Sequence, residues 1–550
     1  MGLCLTLSAC SGVVTDPPPT RSGPDIRPVE ERVTDPERWP DLSAADPPTV
    51  RRLTHEEFDY VASDLLGVER TLSAIFPADR AVLGWENNGA ALNFTPPYAE
   101  LSFAAAEQLG EAALSEGARF APCIGAAPPS AGEQADCAAT FARQFGRRAW
   151  GRPLTAEEEA QFSALFAMGT SQEGFARGIE MVATAISYAF PYFYRVEVGD
   201  GSEVDGDPLR TRPTDYEMAS RLSFLYWMSR PDDVLLDAAG AGELRTPEQI
   251  LAQAERLLDD PRAERSIASF HRQWLHIDGI AGVNKDPETF PDWSVELPLL
   301  LGEEMERFFS ELPFRGEATF GDVFTTTDGY VNADLASYYG IDPVDGDELI
   351  KVSLDPATRS GVLTRGGFLA LEGFAQTSPV LRGHFIREHF LCDQVPPPPP
   401  DVDDVPPPPT PDDTTRARIE ARTGTGQCAG CHQLMNGLGY GFEAYDAMGM
   451  YRTEENGFAI DDSGTAVESD IGPFEGAVEF QARLAESPQA RGCFARQWFR
   501  FAYGRSDSVD EFDVLLELDR VLEESEGSYR ALLLALSQTD AFLTLRRSPH

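Results

Sequence analysis

Four segments of this chain open with the same helix-start signal, and together they commit much of its length to α-helix. In Arg52-Leu53-Thr54-His55-Glu56-Glu57-Phe58, Thr54 is the N-cap and Glu57, three residues on, completes a capping box. Hydroxyl and carboxylate then satisfy amide groups that a helix start leaves without partners. Phe58, Val61, Leu65 and Leu66 follow at helical spacing. Leu154-Thr155-Ala156-Glu157-Glu158-Glu159 repeats the signal before Phe162, Leu165 and Phe166. A third start, Pro213-Thr214-Asp215-Tyr216-Glu217, leads into Met218, Leu222, Leu225 and Tyr226. The fourth, Thr246-Pro247-Glu248, precedes Ile250, Leu251 and Leu257. Few stretches alternate with period two for more than four residues. The expected fold is mainly α, with irregular Gly- and Pro-containing connections.

At 550 residues the chain exceeds what one core covers, and roughly three or four domains are expected. Its 42% hydrophobic and 25% charged residues suit globular domains. Its 90 acidic against 45 basic residues give a net charge of −45. Such a surface repels phosphate backbones, so nucleic acid is not an expected partner. The most apolar run, around Ile186–Tyr194, is broken by Pro191, and no transmembrane helix is expected. Asp205-Gly206-Asp207 and Asp345-Gly346-Asp347 hint at calcium but lack the full ligand series, and read as solvated turns.

The N-terminus points to export. Leu7-Ser8-Ala9-Cys10 resembles a bacterial lipobox, in which Cys10 is lipidated after the leader is cut away, although residues 1–9 contain no Lys or Arg. The Pro-, Ser-, Thr- and Asp-rich stretch up to about Pro48 reads as a tether. Of eight cysteines, Cys4 leaves with the leader, Cys10 takes the lipid, and Cys428 and Cys431 form a separate motif. Four remain, enough for two disulfides. Cys123 and Cys137 flank a short loop containing Pro128-Pro129, and Cys392 is left to Cys493.

Two proline tracts, Pro396–Pro400 and Pro406–Pro409, form a stiff strap that cannot continue a helix. Just beyond it stands Gln427-Cys428-Ala429-Gly430-Cys431-His432, a C-x-x-C-H sequence of the kind that attaches c-type haem. Thiols three residues apart on a helical turn reach both vinyl groups of one haem, and the adjacent imidazole meets the iron from one face. Phe442, Tyr445, Tyr451, Trp498, Phe499, Phe501 and Tyr503 are candidates to wall the porphyrin. Three other readings use the same cysteines: a thioredoxin-like pair, which belongs on a βαβ pattern not seen here; a zinc site recruiting Cys392 and Cys493; and a plain Cys428–Cys431 disulfide. For the distal iron position, Met435 lies on the His432 side of the helix and is a poor candidate. Met450 and Met448 follow the turn at Asp446, while His384 and His389 offer bis-His ligation; an open site is the remaining possibility. His271 and His276, beside Trp274, read as structural histidines.

Beyond residue 50 the chain resembles a large secreted family of planctomycetes and myxobacteria. That family is catalogued as domains of unknown function in the 1592 and 1588 series, with associated 1587, 1595 and 1585 domains, and its end looks like cytochrome c. The resemblance rests on Arg52-Leu53-Thr54 through Gly67, Trp85-Glu86-Asn87-Asn88-Gly89, Phe145-Gly146-Arg147-Arg148-Ala149 and Arg152-Pro153-Leu154-Thr155. It continues through Ala219-Ser220-Arg221-Leu222-Ser223-Phe224, Pro231-Asp232-Asp233 and Gln273-Trp274-Leu275. Arg365-Gly366-Gly367-Phe368-Leu369 and Thr377-Ser378-Pro379-Val380-Leu381-Arg382-Gly383 precede the haem motif. Gly439-Tyr440-Gly441-Phe442-Glu443, Phe501-Ala502-Tyr503-Gly504-Arg505 and Ala541-Phe542 follow it. What the resemblance implies is a multi-domain helical protein with a C-terminal cytochrome-c-like domain.

The expected layout is a lipoprotein signal segment over 1–10, a tether over 11–48, helical domains over 49–120, 121–200 and 201–340, a helical segment over 341–395, the strap over 396–415, and a haem domain over 416–550. The expected function is that of an exported, lipid-anchored, c-type cytochrome-like protein. One haem c is bound by Cys428, Cys431 and His432, and single electrons pass to a redox partner that the sequence does not name. The alternative is a surface-anchored protein whose helical domains bind a polymer or partner around a purely structural haem or metal.

Overall fold

The computed structural model describes residues 50–125, 129–371, 373, 375–396, 407–426, 428–508 and 511–546. The signal segment with Cys10, the tether, and residues 397–406 of the proline strap lie outside the described residues. All four helix starts form as reciprocal capping boxes: Thr54 with Glu57, Thr155 with Glu158, Thr214 with Glu217, and Thr246 with Gln249. In the first, the Glu57 amide donates to the Thr54 hydroxyl at 3.1 Å and the Thr54 amide donates to the Glu57 carboxylate at 2.9 Å. The fold is mainly helical. Every sheet among the described residues is a two-stranded antiparallel pair. No described helix is long and apolar enough to cross a membrane.

Buried apolar side chains gather into two cores. The N-terminal core is built on helices His55–Leu66, Pro96–Ser115, Gln134–Trp150, Ala156–Glu173 and Phe175–Tyr188, with Phe58, Leu109, Phe141, Phe145 and Ile186 fully enclosed. Strand Val50–Arg52 pairs with Tyr194–Val196 and ties the first residues of this unit to its last. The stretches 49–120 and 121–200 therefore share one core. A second core runs from Met218 to Phe542 and takes in Trp85 as well. In it Trp498 of helix Pro488–Tyr503 lies flat on Phe270 of helix Ala263–Trp274, with ring centres 3.9 Å apart. Strand Leu545–Arg546 returns to pair with Arg210–Thr211. Buried apolar side chains described from Leu438 to Phe542 thus join the core of the central helices.

The Trp85-Glu86-Asn87 segment links the two halves. Trp85 stacks on Phe270, and the Asn87 side-chain amide donates to the Phe501 carbonyl at 2.7 Å. Gly504 ends helix Pro488–Tyr503 at φ +60°, where a Cβ would meet the Asn87 carbonyl oxygen at 2.8 Å. A left-handed backbone and this close approach both call for glycine.

Candidate functional site

The C-x-x-C-H segment opens helix Cys428–Tyr440. Cys428, Cys431 and His432 stand at i, i+3 and i+4, so their side chains share one helical face, and all three are half-buried. Six cysteines lie among the described residues. Four are spent in the disulfides Cys123–Cys137 and Cys392–Cys493, and Cys428 and Cys431 are free thiols. Two of the other readings lose their footing here. Cys392 and Cys493 are bonded to each other and cannot complete a zinc site, and no group of three or more His, Cys, Asp or Glu among the described residues is placed to hold a metal. No parallel sheet among the described residues supplies a βαβ unit for a thioredoxin-like pair.

The imidazole of His432 is held in one tautomer by hydrogen bonds that can be followed outward. The Thr423 hydroxyl donates to the Ile419 carbonyl at 2.7 Å, leaving its oxygen to accept from the Asn436 side-chain NH2 at 2.8 Å. That NH2 also donates to the Tyr440 hydroxyl at 3.1 Å. With its nitrogen so committed, Asn436 presents its oxygen to His432 Nδ1, 3.1 Å away. An amide oxygen only accepts, so Nδ1 carries a proton, and in the neutral ring the lone pair is on Nε2. Nε2 has no hydrogen-bond partner among the described residues. Asn436 is not marked by any motif; its signal in the sequence is its position four residues after His432 on a helix.

Glycines clamp the far half of this helix. It runs antiparallel to helix Pro379–His389 at backbone contact: a Cβ on Gly383 would lie 1.9 Å from the Met435 carbonyl oxygen, and one on Gly439 would lie 1.8 Å from that of Pro379. On the other side, a Cβ on Gly437 would lie 2.2 Å from the Thr465 carbonyl oxygen. Beside the crossing, the buried Glu443 carboxylate accepts from the Thr377 hydroxyl at 2.9 Å, with Arg382 and Arg452 at 3.9 and 3.8 Å. Burial outweighs these cations and raises the Glu443 carboxyl to about 7.

The distal candidates are spread over three settings. Asp446 accepts from the amides of Met448 and Met450, both at 2.9 Å, and so shapes the turn. Met448 is buried in the core with its carbonyl capped by the Tyr338 hydroxyl, whereas Met450 is half-buried against the core edge. Met435 is buried at the glycine crossing. His384 lies 3.4 Å from Glu388, and His389 stacks on Phe385 and meets His276 edge-on at 4.9 Å. His271 is fully satisfied, Nδ1 by the Ile267 carbonyl and Nε2 by the Tyr529 hydroxyl.

The aromatic wall does not assemble as the sequence suggested. Trp498 and Phe501 pack on Phe270, Phe499 packs on Tyr503, Phe442 meets Phe480, and Tyr445 meets Tyr451. Core burial had first claim on Trp498, Phe499 and Phe501. Asp205, Asp207, Asp345 and Asp347 lie in exposed or half-exposed loops.

Four family models match the chain in order. Residues 51–115, 214–341 and 472–542 match proteins of unknown function described as DUF1587, DUF1592 and DUF1585. Residues 359–455, which contain the C-x-x-C-H helix, match DUF1588, also of unknown function and named PSCyt3. These four matches are the 1587, 1592, 1588 and 1585 domains of the series that the residue resemblance implied. No curated protein and no solved structure matches it.

Proposed function

We propose that the chain is an exported c-type cytochrome-like protein that carries one covalent haem and passes single electrons to and from a partner. The observation that carries this reading is the convergence, on a single face of helix Cys428–Tyr440, of two free thiols and an imidazole whose Nδ1 is tied to Asn436. The donor set fits haem c: Cys428 and Cys431 would hold it as thioethers, and His432 Nε2 would ligate the iron. Haem c, when bound, supplies an iron centre that takes up and returns one electron. The chain's own contribution is to fix that nitrogen. Asn436 holds Nδ1, and the glycine crossing holds the helix that carries both. Met450, at the core edge, is the sulfur proposed for the distal position. Cys10 is proposed as the lipid anchor, and the region after residue 416 as the cytochrome-like part. The name PSCyt3 on the matching model accords with this reading.

The test is expression of the full chain with haem-maturation machinery. The reduced protein should show a c-type α-band, and the haem should stay with the polypeptide after denaturation, because thioethers survive unfolding and axial coordination does not. Cys428→Ala combined with Cys431→Ala should abolish attachment. Stoichiometric zinc without a Soret band in a competent host would sink the reading.

A further inference from the structure

A cavity of about 230 Å³ opens where the N-terminal core meets the central helices, and Arg119, Arg148, Arg230 and Arg262 line it. Such a gathering runs against the composition of a chain with twice as many acidic as basic residues. Three aspartates share the wall, but each is already engaged by an arginine that does not line the cavity: Asp64 by Arg265, Asp232 by Arg256, and Asp233 by Arg147. The lining Arg148 also pairs with Asp233, and the lining Arg262 lies 4.0 Å from Asp232, so outside and lining arginines share the negative charge; the four lining guanidinium groups still keep donors to spare.

Arg230 shows this most clearly. It is 8% exposed, and its Nη2 donates to the carbonyls of Pro191, Tyr192 and Tyr194 at 2.6, 3.0 and 3.2 Å. Its Nε is a buried donor without a partner, and its Nη1 makes no hydrogen bond among the described residues. Arg148 spends Nε and Nη2 on Asp233, and Arg262 spends the same two atoms on Asp260. Arg262 also lies 3.4 Å over the Trp227 ring, which fixes its plane. Arg119 uses Nη1 on the Leu66 carbonyl. Each of the four therefore leaves at least one terminal N–H group uncommitted, and guanidinium forks match tetrahedral oxyanions. The cavity is below the size of drug-like pockets, which suits an inorganic ion or a small phosphate ester.

We propose that this cavity binds a phosphate-class oxyanion at the joint between the two cores. The proposal is independent of the haem. Its test is calorimetric titration of the full-length protein with inorganic phosphate, at ionic strength held constant with chloride, with acetate as the carboxylate control. Phosphate should bind saturably, and acetate, a single charge that the same forks also match, should bind more weakly; equal or tighter acetate binding would overturn the phosphate class. Arg262→Gln and Arg119→Gln should each weaken binding about tenfold, as loss of one charge-assisted hydrogen bond does, with unchanged circular dichroism. These two are chosen because the more enclosed Arg230 also holds three carbonyls, and its loss would threaten the fold. Absence of saturable binding would overturn the proposal, and so would saturable binding that both variants leave intact.

Discussion

Replacing Gly383 by alanine would set a methyl group against the backbone of the helix that carries Cys428, Cys431 and His432. The added Cβ would stand 1.9 Å from the Met435 carbonyl oxygen, 2.7 Å from its carbonyl carbon and 3.1 Å from the Gly439 nitrogen. Carbon–oxygen contacts of this kind settle near 3.3 Å, so the two helices must part by about 1.4 Å. All three obstacles are main-chain atoms, and no side chain can swing aside to spare the backbone. A gap of even ~0.5–1 Å forfeits a quarter to a half of the dispersion energy across a contact, and overpacking of this type costs about 1–3 kcal/mol. The backbone-on-backbone geometry puts this case at the upper end, about 3 kcal/mol. Gly430 provides the control on the same helix. A Cβ there meets nothing within 4 Å, so Gly430→Ala should instead gain ~0.5–1 kcal/mol from the helix preference of alanine. Urea unfolding followed by circular dichroism would read the stability, and covalent haem per chain would read the site. Gly383→Ala should lose on both measures while Gly430→Ala holds or improves. If the two variants behave alike, the backbone crossing does not position the helix.

Asn436→Leu should free His432 Nδ1 and leave the imidazole less basic and less well oriented. The reduction potential of haem-loaded protein should then rise, and axial binding should weaken by about 10–100-fold, read by imidazole competition. The Cys392–Cys493 disulfide spans 101 residues, so its replacement by two serines should cost about 4–5 kcal/mol in urea unfolding, against about 3 kcal/mol for Cys123–Cys137 with its separation of 14. A reversed order would refute the loop-entropy account. Burial lowers the His271 imidazole to about 3, against its ordinary 6.5. The unfolded chain therefore takes up a proton that the folded chain refuses. This share of stability is full above pH 6.5 and declines as pH falls toward 3, by about 1.4 kcal/mol per pH unit. His271→Phe should flatten that slope, whatever it does to the overall level, and an unchanged slope would reject the assignment.

What could be read from the sequence was what is decided within a few residues. Each capping box sits in four consecutive positions, and all four formed where the spacing placed them. The C-x-x-C-H helix is equally local. The organisation of the cores was not, because contacts such as Trp498 on Phe270 join residues more than two hundred positions apart. Helical spacing marks a residue as inward-facing without naming what it faces. For the same reason the aromatics after Phe442 looked available to a porphyrin, when Phe270 of the central helices had already claimed Trp498 and Phe501. Gly383 and Gly439 each look unremarkable alone, and their meaning exists only in the pair.

Helix Cys428–Tyr440 is divided along its length in a way that bears on how a covalent cofactor would be installed. Its first turn, with Cys428, Gly430, Cys431 and His432, is half-buried or exposed, while Met435, Asn436, Leu438, Gly439 and Tyr440 are buried. Attachment chemistry needs the thiols to be reached from outside, and a constant iron environment needs the histidine not to wander afterwards. These demands conflict if a whole helix is either exposed or enclosed. Here the enclosed half supplies the rigidity: backbone contact at Gly437 and Gly439 leaves the helix no slack, and Asn436, rooted in that half, reaches back one turn to hold His432. The open half can then stay accessible without being loose, because its orientation is set from behind.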